Sequence, residues 1–359
     1  MKSTIVFSTL LITFLMTSLS NAQTSDVLIV MRSSAKISSQ RPPADGMNCR
    51  DNIKKLVCLV DPMAAGAAEK NPLDRPCLDG SAFYATFFEA HFDRANPIIK
   101  KMYCHLERIW IEKSFYATAY ASPIFDTAGG PITGGAIGIR KETLDAGIDL
   151  DHWLTWKDET NFGGSKVSTD PLMGLLKFRS NEDTNAGFLD YVLDHEFGHL
   201  FDFTNSLNHV TDCKWEKQSN GDYKQVGTCA FDKGSFGELS WTTELAPVRP
   251  EFKFPGSSDL CFYGCSDGNH IDAKYSFELY SGLLKTNFIS VYASSNAMED
   301  WAETFTSYFA FEDRGMQLRL NVEGKQLNLR RHYFSPEMAV KRKFVHQFVG
   351  GAFKYPGEG

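Results

Sequence analysis

Apolar residues recur at helical spacing in three stretches of the chain and alternate or cluster in short runs elsewhere. Over residues 81–106 they run from Phe83, Phe87 and Phe88 through Ile98, Ile99 and Met102, the period of a helix that buries one side. Pro97 interrupts this stretch, so it predicts one kinked helix or two. Residues 186–203 carry Phe188, Leu189, Val192, Leu193 and Leu200 behind the candidate caps Asp183, Thr184 and Asn185, which predicts a second helix. A third is predicted over 297–311 and a last one over 336–348. Residues 109–111, 116–120 and 136–139 read as short strands. Residues 154–178 mix the two patterns and give no single element. Residues 205–287 are rich in Gly, Ser, Asn and Cys with weak periodicity, and read as a disulfide-stapled insertion.

The N-terminus has a different pattern. Lys2 precedes an apolar run from Ile5 to Leu19, and Ser20-Asn21-Ala22 supplies a small-x-small site. This reads as a signal peptide over residues 1–22. Residues 23–48 then form a polar leader or linker, and 49–359 the folded unit. The run is short for a membrane span, and no other stretch is long and apolar enough to be one, so no stable span is expected after signal cleavage. All eight Cys follow the signal, at 49, 58, 77, 104, 213, 229, 261 and 265. An even count behind a secretion signal reads as four disulfides in an extracellular or periplasmic setting. Pairing within the first four and within the last four is the simplest scheme. The net charge of −7 argues against nucleic acid as the main partner.

The chemistry concentrates in Asp194-His195-Glu196-Phe197-Gly198-His199. His195 and His199 are four apart in a predicted helix, so both imidazoles project from one face and can grip one zinc ion. Glu196 lies beside them, placed to act as general base toward metal-activated water. The extended motif that ends in a third His is excluded, because its Gly and His positions hold Asp202 and Asn205. Asp202 reads as a cap or brace. The third ligand is therefore sought downstream, where Glu299 and Glu303 lie four apart among Trp301, Phe305, Tyr308 and Phe309. Two carboxylates facing a core need a reason. One as ligand and the other bracing a ligand His supplies it. Glu299 is the favoured ligand, with Glu303 and Asp300 as alternatives.

An H-E-x-x-H helix followed by a distant Glu on a second helix resembles the gluzincin metallopeptidases. More narrowly, Glu299-x-x-Ala302-Glu303-x-Phe305 with Tyr292 upstream is similar to the catalytic domain of anthrax lethal factor. The resemblance covers the two motif helices and the helix and strands before them, and it departs in the Cys-rich insertion. It implies Glu299 as zinc ligand and Tyr292 as a group that assists at the oxyanion. It also implies an α+β, zincin-like metallopeptidase domain. The expectation is a secreted zinc endopeptidase that holds one catalytic ion and acts on a protein or peptide. A zinc amidase acting on cell-wall peptides shares the same site. A catalytically inactive binding protein on the same fold is disfavoured by the intact Glu196.

Overall fold

β-Branched and aliphatic runs flanked by turn residues build the first layer of this computed structural model, which describes residues 30–31, 49–62, 72–127, 130–162, 174–217, 223–243, 246–247, 249–263 and 271–358. The expected signal peptide lies outside the described residues. In chain order the first elements are β1 (Val30–Met31), α1 (Cys49–Leu56), β2 (Val57–Val60), α2 (Ser81–Arg94), α3 (Pro97–Tyr103), β3 (Leu106–Glu112), β4 (Ala119–Phe125) and β5 (Ile132–Arg140). There follow α4 (Lys141–Asp145), α5 (Leu150–Glu159), β6 (Leu176–Ser180), α6 (Asn185–Asn205), β7 (Val210–Lys217), β8 (Tyr223–Phe231), β9 (Trp241–Thr243) and β10 (Ala246–Pro247). The last are α7 (Ser276–Leu283), α8 (Ala297–Tyr308), β11 (Leu318–Val322), β12 (Lys325–Asn328), α9 (Leu329–Tyr333) and α10 (Ala339–Val349).

The fold is a mixed α+β arrangement around a five-stranded sheet of order β1-β4-β5-β3-β2. Strands β2, β3 and β5 are mutually parallel, whereas β4 runs antiparallel to β5. β11 joins β12 and β6 in a separate antiparallel sheet. Pro97 does split the first helical stretch. Asn96 accepts the Ile98 N–H at 3.0 Å and so caps a fresh helix that begins on the proline. The strand expected at 116–120 begins later, at Ala119, where backbone pairing with Ile139 starts. The expected polar leader contributes β1, because Val27-Leu28-Ile29-Val30-Met31 is a local apolar run. Residues 154–178 resolve into the end of α5 and the start of β6, with 163–173 outside the described residues.

Disulfides join Cys49 to Cys104, Cys58 to Cys77 and Cys213 to Cys229. Cys261 is also disulfide-bonded, and Cys265 lies outside the described residues. The first bridge spans 55 residues, and on chain-entropy grounds a loop of that length is worth about 4 kcal/mol. The third staples the β7–β8 hairpin. The Cys-rich stretch also holds α7, which its weak sequence periodicity does not announce.

Helix α6 is buried from Gly187 to Asp202. It rests on β4 and β5 from one side and on α8 from another. The approach to α8 is close because position 198 has no side chain: a Cβ there would lie 3.1 Å from the Ala302 Cα and 3.2 Å from Phe305. Trp301 Nε1 donates to the Gly198 carbonyl at 2.8 Å across this contact. Behind α8, buried Asp300 accepts from Lys341 on α10 at 2.7 and 2.6 Å and from Trp241 at 2.8 Å. Asp300 is therefore committed to holding α8 in place and faces away from the two His residues' partner set. Gly198→Val is expected to force α8 outward and lower stability by about 1–3 kcal/mol. Thermal unfolding checks this, and an unchanged midpoint would contradict the close-contact reading.

Candidate metal centre

The two motif helices are each fixed at the end that matters. α6 starts at Thr184, whose Oγ1 accepts the Gly187 N–H at 2.9 Å. α8 starts at Asn296, whose Oδ1 accepts the Met298 and Glu299 N–H groups at 3.0 and 2.9 Å. Glu299 therefore stands in the first turn of α8, where the positive end of the helix favours its carboxylate form.

Across the Gly198 contact, Glu299 meets both histidines. Its Oε2 lies 3.0 Å from His195 Nε2 and 3.3 Å from His199 Nε2. The two Nε2 atoms are 3.2 Å apart. These three residues form the metal-capable group among the described residues, and all three are buried. The triangle has chemical meaning. Two imidazole nitrogens and a carboxylate oxygen about 2.0–2.1 Å from one tetrahedral ion stand about 3.3 Å from each other. The observed edges of 3.0–3.3 Å match one face of such a tetrahedron. Two N and one O donor suit a borderline ion such as Zn²⁺.

Glu303, one turn beyond Glu299, sits behind His195. Its Oε1 is 3.3 Å from His195 Nδ1, a close charge contact. Its other oxygen accepts from Tyr191 Oη at 3.1 Å and Ser290 Oγ at 2.8 Å. Lys157 Nζ donates to Oε1 at 3.3 Å. Burial by itself would raise the Glu303 pKa, but Lys157 and His195 pull it down from 4.5 to about 2. Glu299 is likewise held well below the usual carboxylate range, against burial, by His199 and His195. Without a metal, burial would lower the His195 pKa, but Glu299 and Glu303 outweigh it and raise it from 6.5 to about 10.

Glu196 lines the same cavity as His195, His199 and Glu299 and is 5% exposed. Tyr292 lines it too, with its ring centroid 5.8 Å from that of His195. The cavity, about 40 Å³, has room for only a few waters. Asp202 stays outside the cluster: its carboxylate accepts from the Asn208 N–H at 2.9 Å and Nδ2 at 2.7 Å, bracing the turn after α6.

Several neighbours of the cluster are not evident in the sequence. Lys157, Trp153 and Val192 line the cavity, as do β4 and the residues just before it from Ala117 to Ala121. Tyr263, from the Cys-rich stretch, enters it as well. Tyr263 has φ 62°, an unusual conformation for a bulky residue. Its N–H is held by Thr160 Oγ1 at 3.1 Å, and the nearby Cys261 N–H by Asn161 Oδ1 at 2.7 Å. No family model, curated protein or solved structure matches the chain.

The pKa directions fix the sign of a pH effect. A metal needs neutral His195, which in the metal-free protein keeps its proton up to about pH 10. Zinc uptake at pH 8 is therefore expected to release about one proton, with apparent affinity rising as the pH increases toward that value. Metal-free stability has the opposite dependence: protonated His195 contributes fully below pH 6.5 and the contribution is lost as pH rises through about 10. Calorimetry of zinc binding in buffers of different ionisation enthalpy counts the protons. A count of zero contradicts the assignment.

Proposed function

We propose that this protein is a secreted zinc-dependent endopeptidase of the gluzincin type, on a zincin-like domain. The single observation that carries the reading is the His195–His199–Glu299 triangle with Glu196 in the same cavity. When bound there, zinc supplies Lewis-acid polarisation of water and of a scissile carbonyl. Glu196 removes the proton from the attacking water and delivers it to the departing amine. Tyr292 lends its hydroxyl to the developing oxyanion. Glu303 fixes the orientation of His195, since a ring held at Nδ1 presents Nε2 to the metal.

Two further features support this reading, one bearing on a peptide substrate and one on the compartment. Residues 119–121 of β4 line the cavity, and among the described residues β1 pairs only with Ile124 and Phe125 on that edge. An extended peptide can add to such an edge by backbone hydrogen bonds. The cysteines are oxidised, with no free thiol among the described residues, which supports an oxidising compartment.

The test is cleavage of a diverse peptide library by wild type and by Glu196→Gln, both loaded with one zinc. Wild-type cleavage that falls by about 10²–10⁴ in the variant is expected. Equal rates would remove Glu196 from the chemistry, and no cleavage by either would defeat the peptidase reading.

A further inference from the structure

The helix that carries Lys157 has an unusual composition for its setting. Asp151, Lys157, Asp158 and Glu159 on α5 are all buried. Three of these charges have local or structural partners. Glu159 accepts the N–H groups of Leu175 and Leu176 at 2.7 and 2.8 Å. Asp158 accepts from Tyr280 at 2.8 Å, and Asp151 accepts the Ser180 N–H at 2.8 Å. Lys157 instead points into the metal centre.

We propose that Lys157 is a positioning residue of the metal centre: it holds Glu303 as the carboxylate that orients His195, and it clamps the ring of Tyr292. The inference rests on reading the triangle as a metal site. Lys157 is 2% exposed. Its Nζ is 3.3 Å from Glu303 Oε1, the same oxygen that stands 3.3 Å from His195 Nδ1. It also stands 4.5 Å from the Tyr292 ring centroid and 4.8 Å from that of Trp153, within the range of cation–π attraction. One ammonium thus touches the brace of a ligand and the ring of the proposed oxyanion donor.

The physical need for it follows from charge. Glu196, Glu299 and Glu303 crowd one buried cavity, and a buried cation beside them offsets the repulsion among like charges. Lys157 anchors Glu303 Oε1 where that oxygen faces His195 Nδ1, and a carboxylate so placed sets the orientation of the ring. The ammonium does this from behind the ring, at Nδ1 and not at Nε2.

The test is zinc affinity, by competition with a chromogenic chelator, for wild type, Lys157→Met, Glu303→Gln and the double variant. Each single variant is expected to bind zinc about 10–100-fold more weakly than wild type. The double variant is expected to match Glu303→Gln within about threefold, because the lysine acts through that carboxylate. A merely structural lysine would lower the unfolding temperature and leave the affinity of the folded protein alone. Zinc affinity of Lys157→Met within about twofold of wild type overturns the proposal. Where Lys157→Met does not fold, the charge-neutral double variant decides against Glu303→Gln: a further loss beyond threefold overturns it. The readout needs no substrate, so a wild type that binds zinc and cleaves nothing defeats the peptidase reading and leaves this result standing. A wild type that binds no zinc overturns both.

Discussion

Everything at the centre depends on how closely two helices approach. Gly198 allows the backbone of α8 to lie where a side chain would crowd it, and the Trp301–Gly198 hydrogen bond of 2.8 Å fixes the contact. At that separation an acidic side chain in the first turn of α8 reaches two imidazoles one turn apart on α6. Trp301 and Gly198 lie 103 residues apart, so this approach is a product of tertiary packing and not of local sequence. The sheet beneath α6 and the Asp300–Lys341 pair behind α8 help to hold it.

A second constraint is electrostatic. The region buries many charges, and several are paired with an opposite charge. Asp194, next to His195 in sequence, points the other way and accepts from Arg314 at 2.7 Å. Asp300, next to Glu299, is matched by Lys341, and both are fully buried. Lys157 stands beside Glu303. Removing one member of such a pair strands a charge in a poorly polarisable interior, which costs more than the pair contributes. Among these pairs, the three donors of the candidate centre, His195, His199 and Glu299, are where negative charge and lone pairs converge, an arrangement that could hold a cation.

The candidate centre was more legible in the sequence than the fold around it. His195 and His199 announce themselves by a four-residue spacing that only a helix makes meaningful. Glu299 and Glu303 stand out because carboxylates at helical spacing among Trp301 and Phe305 contradict a solvated face. Pro97 and Asn96 mark a helix boundary by local chemistry alone. Lys157 is different. Its stretch mixes strand and helix patterns and gives no single element, and the helix that forms there is buried with partners from far along the chain, Glu303 being 146 residues away. Tyr263 is hidden for a similar reason: its backbone conformation is imposed by Thr160 and Asn161, about a hundred residues earlier. β1 and α7 are short or lie in stretches whose composition suggests loops, and packing against the sheet and the core decides them.

Diffraction from zinc-soaked crystals at the zinc absorption edge tests the central claim most directly. A centre built as described gives one strong anomalous peak at about 2.0–2.2 Å from His195 Nε2, His199 Nε2 and a Glu299 carboxylate oxygen, with a fourth position open. A peak elsewhere, or a filled site that lacks Glu299 as a ligand, would contradict the account.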